Sequence, residues 1–182
     1  CRALLFSGVA GGLDPALEVG DVVIAERLVM HDYGAMVRGR LRPYQPGVPP
    51  LPGFPEETGY PMSAGLRERV AAAVEGLVLP KLPDSVAGGR VPRLVFGTVL
   101  TGDYFLNDGP TRADLFARFG GAAVEMEGAA LAAVAERFGI PLVVVRALSD
   151  LAGEESHMDF RAFLDAAAKS AASVTRRVAA VL

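Results

Sequence analysis

The segment from Ala122 to Gly153, AAVEMEGAALAAVAERFGIPLVVVRALSDLAG, leaves few choices of fold. Two nearly continuous apolar stretches, Ala122 to Glu125 and Pro141 to Leu148, flank a run of helical character from about Glu127 to Phe138. That run stops at Gly139-Ile140-Pro141, with glycine just past the last turn and proline behind it. Strands without polar alternation, interleaved with helices, mean a mostly parallel sheet buried on both faces. The expectation is an α/β fold in three layers.

The rest of the chain fits that plan. Ala3 to Phe6 reads as a short buried strand, and Ser7 to Gly12 as a glycine-rich turn. Asp21 to Met30 (DVVIAERLVM) and Arg93 to Thr101 (RLVFGTVLT) read as further strands, with a short helix around Arg112 to Phe119. Ser63 is placed to cap a helix carrying Leu66, Val70, Ala73, Val74 and Leu77. The last helix carries Phe160, Phe163, Leu164, Ala167, Ala171, Val174, Val178 and Val181 at three- and four-residue spacing. Seven prolines from Pro43 to Pro61 argue against helix or central strand there. The whole stretch from His31 to Pro61 therefore reads as a lid, a binding loop or an interface element. Pro80 to Pro92 reads as a second loop.

At 182 residues the chain is expected to form one domain. A net charge of −3, with no stripe of Lys or Arg, gives no footprint for nucleic acid. Cys1 is the sole cysteine, which rules out an internal disulfide and a thiolate metal cluster. His31 and His157 are too few for a histidine-rich metal site. The apolar runs are too short to span a membrane and no signal peptide is visible, so a reducing cytoplasm is the expected setting. The chain opens on Cys1-Arg2 and enters a strand almost at once, so preceding sequence is expected.

Chemistry concentrates around Ala122 to Gly153. Asp150 stands where PLVVVRALSD leaves the sheet, a position at which acids face ligands or, more plainly, cap a turn; Ser149-Asp150 suits either. Glu125 and Glu127 are two apart and share a face on an extended backbone. One of them is expected to pair with Arg146, which sits in an apolar strand and needs a partner or a ligand anion. The other is then free to accept hydrogen bonds from a sugar diol. Phe105 offers a ring beside a strand end for stacking on a planar base, and Met126 a second contact, although both are also ordinary core residue types. Gly8 to Gly12 matches neither a Walker loop nor the dinucleotide fingerprint.

The pattern SGVAGGLDPALEVGDVVI, then TGDYFLN, then AVEMEGAALA, then VVVRALSDLAG followed by SHMDF, resembles the nucleoside phosphorylase superfamily. Within it the chain most resembles the 5′-methylthioadenosine/S-adenosylhomocysteine nucleosidases, from about Leu4 to the C-terminal helix. The resemblance implies a mixed, mostly parallel central sheet and a cofactor-free, metal-free hydrolysis that frees adenine from a 5′-thio-substituted ribose. It implies that Asp150 protonates the purine, with Arg146 and Ser149 orienting the acids and water. It implies that Glu127 holds the ribose hydroxyls above Met126, with Glu125 beside it, that Phe105 stacks on the base, and that the Leu106 backbone reads its edge. Phe160 would wall the 5′-alkylthio pocket. A homodimer is implied, in which the loop from His31 to Pro61, through Pro52, closes the neighbouring site.

Three departures carry further expectations. The family's water-activating glutamate belongs to a segment ahead of Cys1, so the chain is expected to lack its N-terminal strands or to be unable to hydrolyse as its relatives do. Val9 stands where many relatives carry a small hydroxyl residue that holds water or phosphate, which argues against phosphorolysis. The proline-rich loop is longer than in compact relatives, which leaves the 5′-substituent open. The alternatives are a related hydrolase or phosphorylase acting on futalosine, inosine or uridine, and a non-catalytic nucleoside-binding or storage relative.

Overall fold

The buried apolar runs become the strands of one curled sheet. In a computed structural model of the chain, residues 1–48, 51–53, 58–153 and 160–182 are described, with 86–87 and 160–162 defined by their backbone alone. The elements are β1 (Leu4–Gly12), β2 (Val22–Met30), β3 (Gly34–Val37), β4 (Arg40–Pro43), β5 (Tyr60–Pro61), α1 (Ala64–Val74), α2 (Asp84–Ala87), β6 (Leu94–Thr101), α3 (Gly109–Phe119), β7 (Gly121–Glu125), α4 (Gly128–Arg137), β8 (Leu142–Asp150) and α5 (Phe160–Ala179).

The main sheet has the order β5-β2-β6-β7-β1-β8, and β8 also pairs with β2, so the sheet closes on itself. The long ladders, β1 with β8, β2 with β6 and β6 with β7, are parallel. The antiparallel ladders that join them are short. The fold is thus the expected α/β arrangement around a mixed sheet with helices on its faces. Neighbouring residues of one strand enter different clusters, as a strand buried on both faces requires. Val23, Val144 and Leu148 pack with Ala129 and Ala132 of α4. Val22, Val143, Val145 and Ala147 pack with Leu66 and Val70 of α1 and with Phe163, Val174 and Val178 of α5. A third cluster joins Leu100 and Val124 to Leu115 of α3 and to Ala152. Each buried Val, Leu or Phe among them stabilises the fold by roughly 1.5–3 kcal/mol on burial. Among the described residues no helix is long and apolar enough to cross a membrane.

Several segments differ from their expected form. The glycine-rich stretch is not a turn: β1 runs straight through it to Gly12, paired with β8 along most of its length. Its glycines meet a neighbouring strand and turn, since a Cβ on Gly8 would overlap the Arg146 guanidinium and one on Gly11 would lie 3.1 Å from Asp150 Oδ1. The proline-rich region contains a hairpin, β3 with β4, and the two-residue edge strand β5. Pro43 and Pro61 are tolerated because each ends its strand. The loop from Pro80 to Pro92 holds the single turn α2. Ser63 stands at the N-cap of α1 without a side-chain capping bond. α3 starts earlier than expected because the Asp108 carboxylate accepts from Thr111 N at 2.8 Å, with proline in the first turn. Leu164 faces outward from α5.

The start of β2 is fixed by a buried carboxylate. Asp21 Oδ1 accepts from Arg90 Nη1 and from Arg93 N, and Oδ2 from the Arg93 guanidinium, at 2.7–3.0 Å. Asp21 is fully buried, so this clasp ties β2 to the approach to β6.

Candidate active site

Three strand ends and one mid-strand arginine build the site. β7 ends at Glu125, and α4 starts three residues later with Glu127 at its N-cap. The bend between them breaks the expected same-face relation of the two glutamates. Glu125 turns inward, and its carboxylate accepts from Gly128 N at 2.9 Å to each oxygen and from Glu127 N at 3.3 Å. The Thr101 hydroxyl donates to its Oε1, and Arg146 Nη2 donates to its Oε2. Thr101 Oγ1 in turn accepts from Ala129 N at 2.8 Å. A carboxylate at a helix N-terminus, with a guanidinium, a hydroxyl and backbone amides around it, has its acceptor positions taken up by the protein itself. Glu127 turns outward: its side chain is 61% exposed, and Arg146 Nη2 reaches Oε2 at 3.5 Å.

Arg146 is the largest fully buried side chain and lies between these acids and β1. Its Cζ stands 4.3 Å from the centroid of the Phe6 ring, and its Nη1 occupies the space a Cβ on Gly8 would need. Among the described residues its Nε has no hydrogen-bond partner.

Asp150 ends β8 in a tight turn. Its Oδ1 accepts from Ala152 N at 2.7 Å, an Asx-type turn, and its Oδ2 accepts from Ser149 Oγ at 2.9 Å. Ser149 Oγ also lies 3.3 Å from the Ala10 carbonyl oxygen, which ties the pair to β1. Ala152 takes a φ of 50°, a left-handed conformation that costs a non-glycine residue about 1 kcal/mol.

The remaining candidates fall in different parts of the fold. Phe105 is 67% exposed, while Leu106 is buried in the third cluster with α3. Met126 is exposed and lines a cavity of about 320 Å³ together with Met30, Asp32, Tyr33, Thr101 and Asp103. Val9 packs against the cluster of α1 and α5, on the face of β1 opposite Gly8. Phe160 opens α5, but its side chain lies outside the described residues, as does all of His157. Pro52 is exposed. Sequence reasoning missed Thr101 and Phe6. A threonine ending a strand looks like any β-branched strand residue, and only the fold shows which hydroxyl meets which carboxylate.

A strand-end acid, an open carboxylate and a buried arginine on one curled mixed sheet covered by helices place the chain in the α/β class, with its polar groups gathered at strand ends. The chain belongs to the phosphorylase superfamily, whose family model matches residues 1–180. It is 48% identical over 183 residues to the 5′-methylthioadenosine/S-adenosylhomocysteine nucleosidase of Mycobacterium bovis, a match covering 100% of this chain and 72% of that protein. Among solved structures it resembles a mutant of the Helicobacter pylori enzyme of that name with 5′-methylthioadenosine in the active site, at a TM-score of 0.76 and 27% identity, covering 100% of this chain and 69% of that one. It also resembles a futalosine hydrolase mutant of Helicobacter pylori, at a TM-score of 0.75 and 30% identity, covering 100% and 70%.

Proposed function

We propose that this protein hydrolyses the N-glycosidic bond of 5′-methylthioadenosine or S-adenosylhomocysteine, releasing adenine and a 5-thio-substituted ribose. The observation that carries the reading is the division of labour between the glutamates. Glu125 is consumed by Arg146, Thr101 and the start of α4, while Glu127 stands open beside the same arginine. An open carboxylate anchored at one oxygen suits a ribose diol, since it accepts two hydroxyl hydrogens at once. The 48% identity to a nucleosidase supports the same substrate class.

Ribosyl cleavage passes through an oxocarbenium-like state and needs a protonated leaving group. Asp150 is the acid: the Ala152 amide and the Ser149 hydroxyl hold one oxygen each and fix its direction. Phe105, with its exposed ring, stacks on the base, and the Leu106 backbone reads its edge. Met126 lies under the sugar, and the cavity beside it, with a second methionine and Tyr33 in its wall, takes the 5′-alkylthio group. Val9 supplies no hydroxyl for phosphate, which favours water as the acceptor. The working unit is a homodimer in the cytoplasm, with the segment from His31 to Pro61 close to the neighbouring site. The exposed Tyr33, Met36, Val37 and Leu51 of that segment support the contact.

A second reading is hydrolysis of futalosine, favoured by the likeness to the futalosine hydrolase structure. Both are tested by measuring free base released from each nucleoside, with and without phosphate. Release from the 5′-thio nucleosides at a rate independent of phosphate is the expected result. Turnover that requires phosphate, or that is confined to futalosine, would replace it.

A further inference from the structure

We propose that Phe6 is a positioning residue for Arg146, and that through the arginine it keeps Glu127 available to the ribose diol. The proposal rests on the nucleosidase reading above. A guanidinium beside two carboxylates prefers a two-pronged pairing with one of them. Glu125 cannot supply it, because its Oε1 is taken by the Thr101 hydroxyl and both its oxygens by Gly128 N. Glu127, with a side chain 61% exposed, has room to supply it by swinging inward, and a Glu127 so paired would be lost to the sugar.

The geometry of β1 prevents that. Phe6 and Gly8 lie two residues apart on the same strand face. The Phe6 ring lies against the guanidinium, 4.3 Å from ring centroid to Cζ, and the bare Gly8 backbone lets Nη1 settle on the strand. With its plane fixed in this way, the group offers Nη2 to both acids, and Glu127 receives one long contact of 3.5 Å. Among the described residues Nε has no acceptor, which fits a guanidinium plane set by stacking on Phe6 and not by a two-pronged pairing. A cation against an aromatic face gains most where water is excluded, and Arg146 is 2% exposed.

The test compares Phe6→Leu, Phe6→Met and Phe6→Tyr in the full chain. Adenine release is measured from 5′-methylthioadenosine and from its 2′,3′-dideoxy counterpart, which has no diol for Glu127. In parallel, the Arg146 Nε–H resonance is followed by ¹⁵N NMR. Leu and Met should raise KM for the diol substrate about thirtyfold, the size expected for loss of a desolvated cation–π contact. They should leave kcat nearly unchanged, leave the dideoxy substrate unaffected and displace the Arg146 signal, while Tyr restores every value. Equal weakening for both substrates would show that Phe6 serves packing alone and would overturn the proposal. If the unsubstituted chain cleaves neither substrate, the nucleosidase reading fails by itself, and the resonance then decides: an Arg146 signal indifferent to Leu and Met overturns the positioning role.

Discussion

Glu125 and Glu127, separated by one residue, occupy opposite environments: the side chain of Glu125 is 2% exposed and bonded on both oxygens, while that of Glu127 is 61% exposed. The bend where β7 gives way to α4 produces the difference. It turns the first carboxylate toward the helix start and leaves the second at the surface, with Arg146 between them.

Stability and binding should therefore separate in the two variants. Glu125→Gln leaves the Arg146 charge buried without its partner and should destabilise the fold by about 3 kcal/mol. Glu127→Gln removes an exposed charge and should change stability by less than about 0.5 kcal/mol. The second variant should instead lose affinity for a nucleoside with a free diol. Urea denaturation and steady-state kinetics on the same two proteins check both halves.

Asp150→Asn tests the assignment of the acid. The asparagine side-chain oxygen can still accept from Ala152 N, so the turn should survive and the melting temperature should move little. An amide cannot donate the proton that the departing base needs, and turnover should fall by roughly 10²–10⁴-fold with KM nearly unchanged. Adenine release gives the rate and a thermal melt gives the stability. Unchanged turnover would place the acid elsewhere.

The elements written by local pattern were legible in the sequence, and those written by distant contacts were not. The apolar run of β8, the glycine stop of α4 and the stripe of α5 follow from periodicity and capping, and the structure has them within a residue or two. Ser7 to Gly12 looked like a turn because glycine weakens strands locally. It is strand because Arg146 and Asp150, more than a hundred residues away, need the space its side chains would fill. The hairpin of β3 and β4 was hidden by a proline-rich composition in which Pro43 ends β4 and Pro61 ends β5. In the site, the pairing of Arg146 with one glutamate could be expected from burial alone. Which glutamate it was depended on the bend at Met126, and the part of Thr101 depended on register between β6 and β7.

Acid should loosen the clasp at the start of β2. Burial by itself would raise the Asp21 pKa. The Arg93 amide, the Arg90 side chain, the Glu18 amide and the Arg93 side chain outweigh burial and hold it below 3.8. In the unfolded chain that carboxyl titrates near its ordinary value, so its contribution is complete above about pH 4 and is lost as pH falls through the lower folded value. Asp21→Asn should be less stable than the parent at pH 7, and the gap should narrow below pH 4. Denaturation midpoints measured from pH 2.5 to 7 would show a constant gap if the clasp contributed nothing.

His31 should add a second, milder pH dependence nearer neutrality. Its imidazole is buried against the edge of Tyr104, with the two ring centroids 5.4 Å apart. Burial lowers its pKa below 6.5, and Arg118 adds to that while Asp32 opposes it. The unfolded chain then binds a proton that the folded one refuses, so stability is complete above about pH 6.5 and declines as pH falls toward the folded value. His31→Gln should flatten the curve across that interval. Gly102→Ala approaches the same contact from the other side, since its Cβ would overlap His31 Nε2. It should cost about 1–3 kcal/mol at every pH. Because this loop leads to Phe105, the alanine should also raise KM for a purine nucleoside; denaturation curves together with steady-state kinetics on both variants check the two effects.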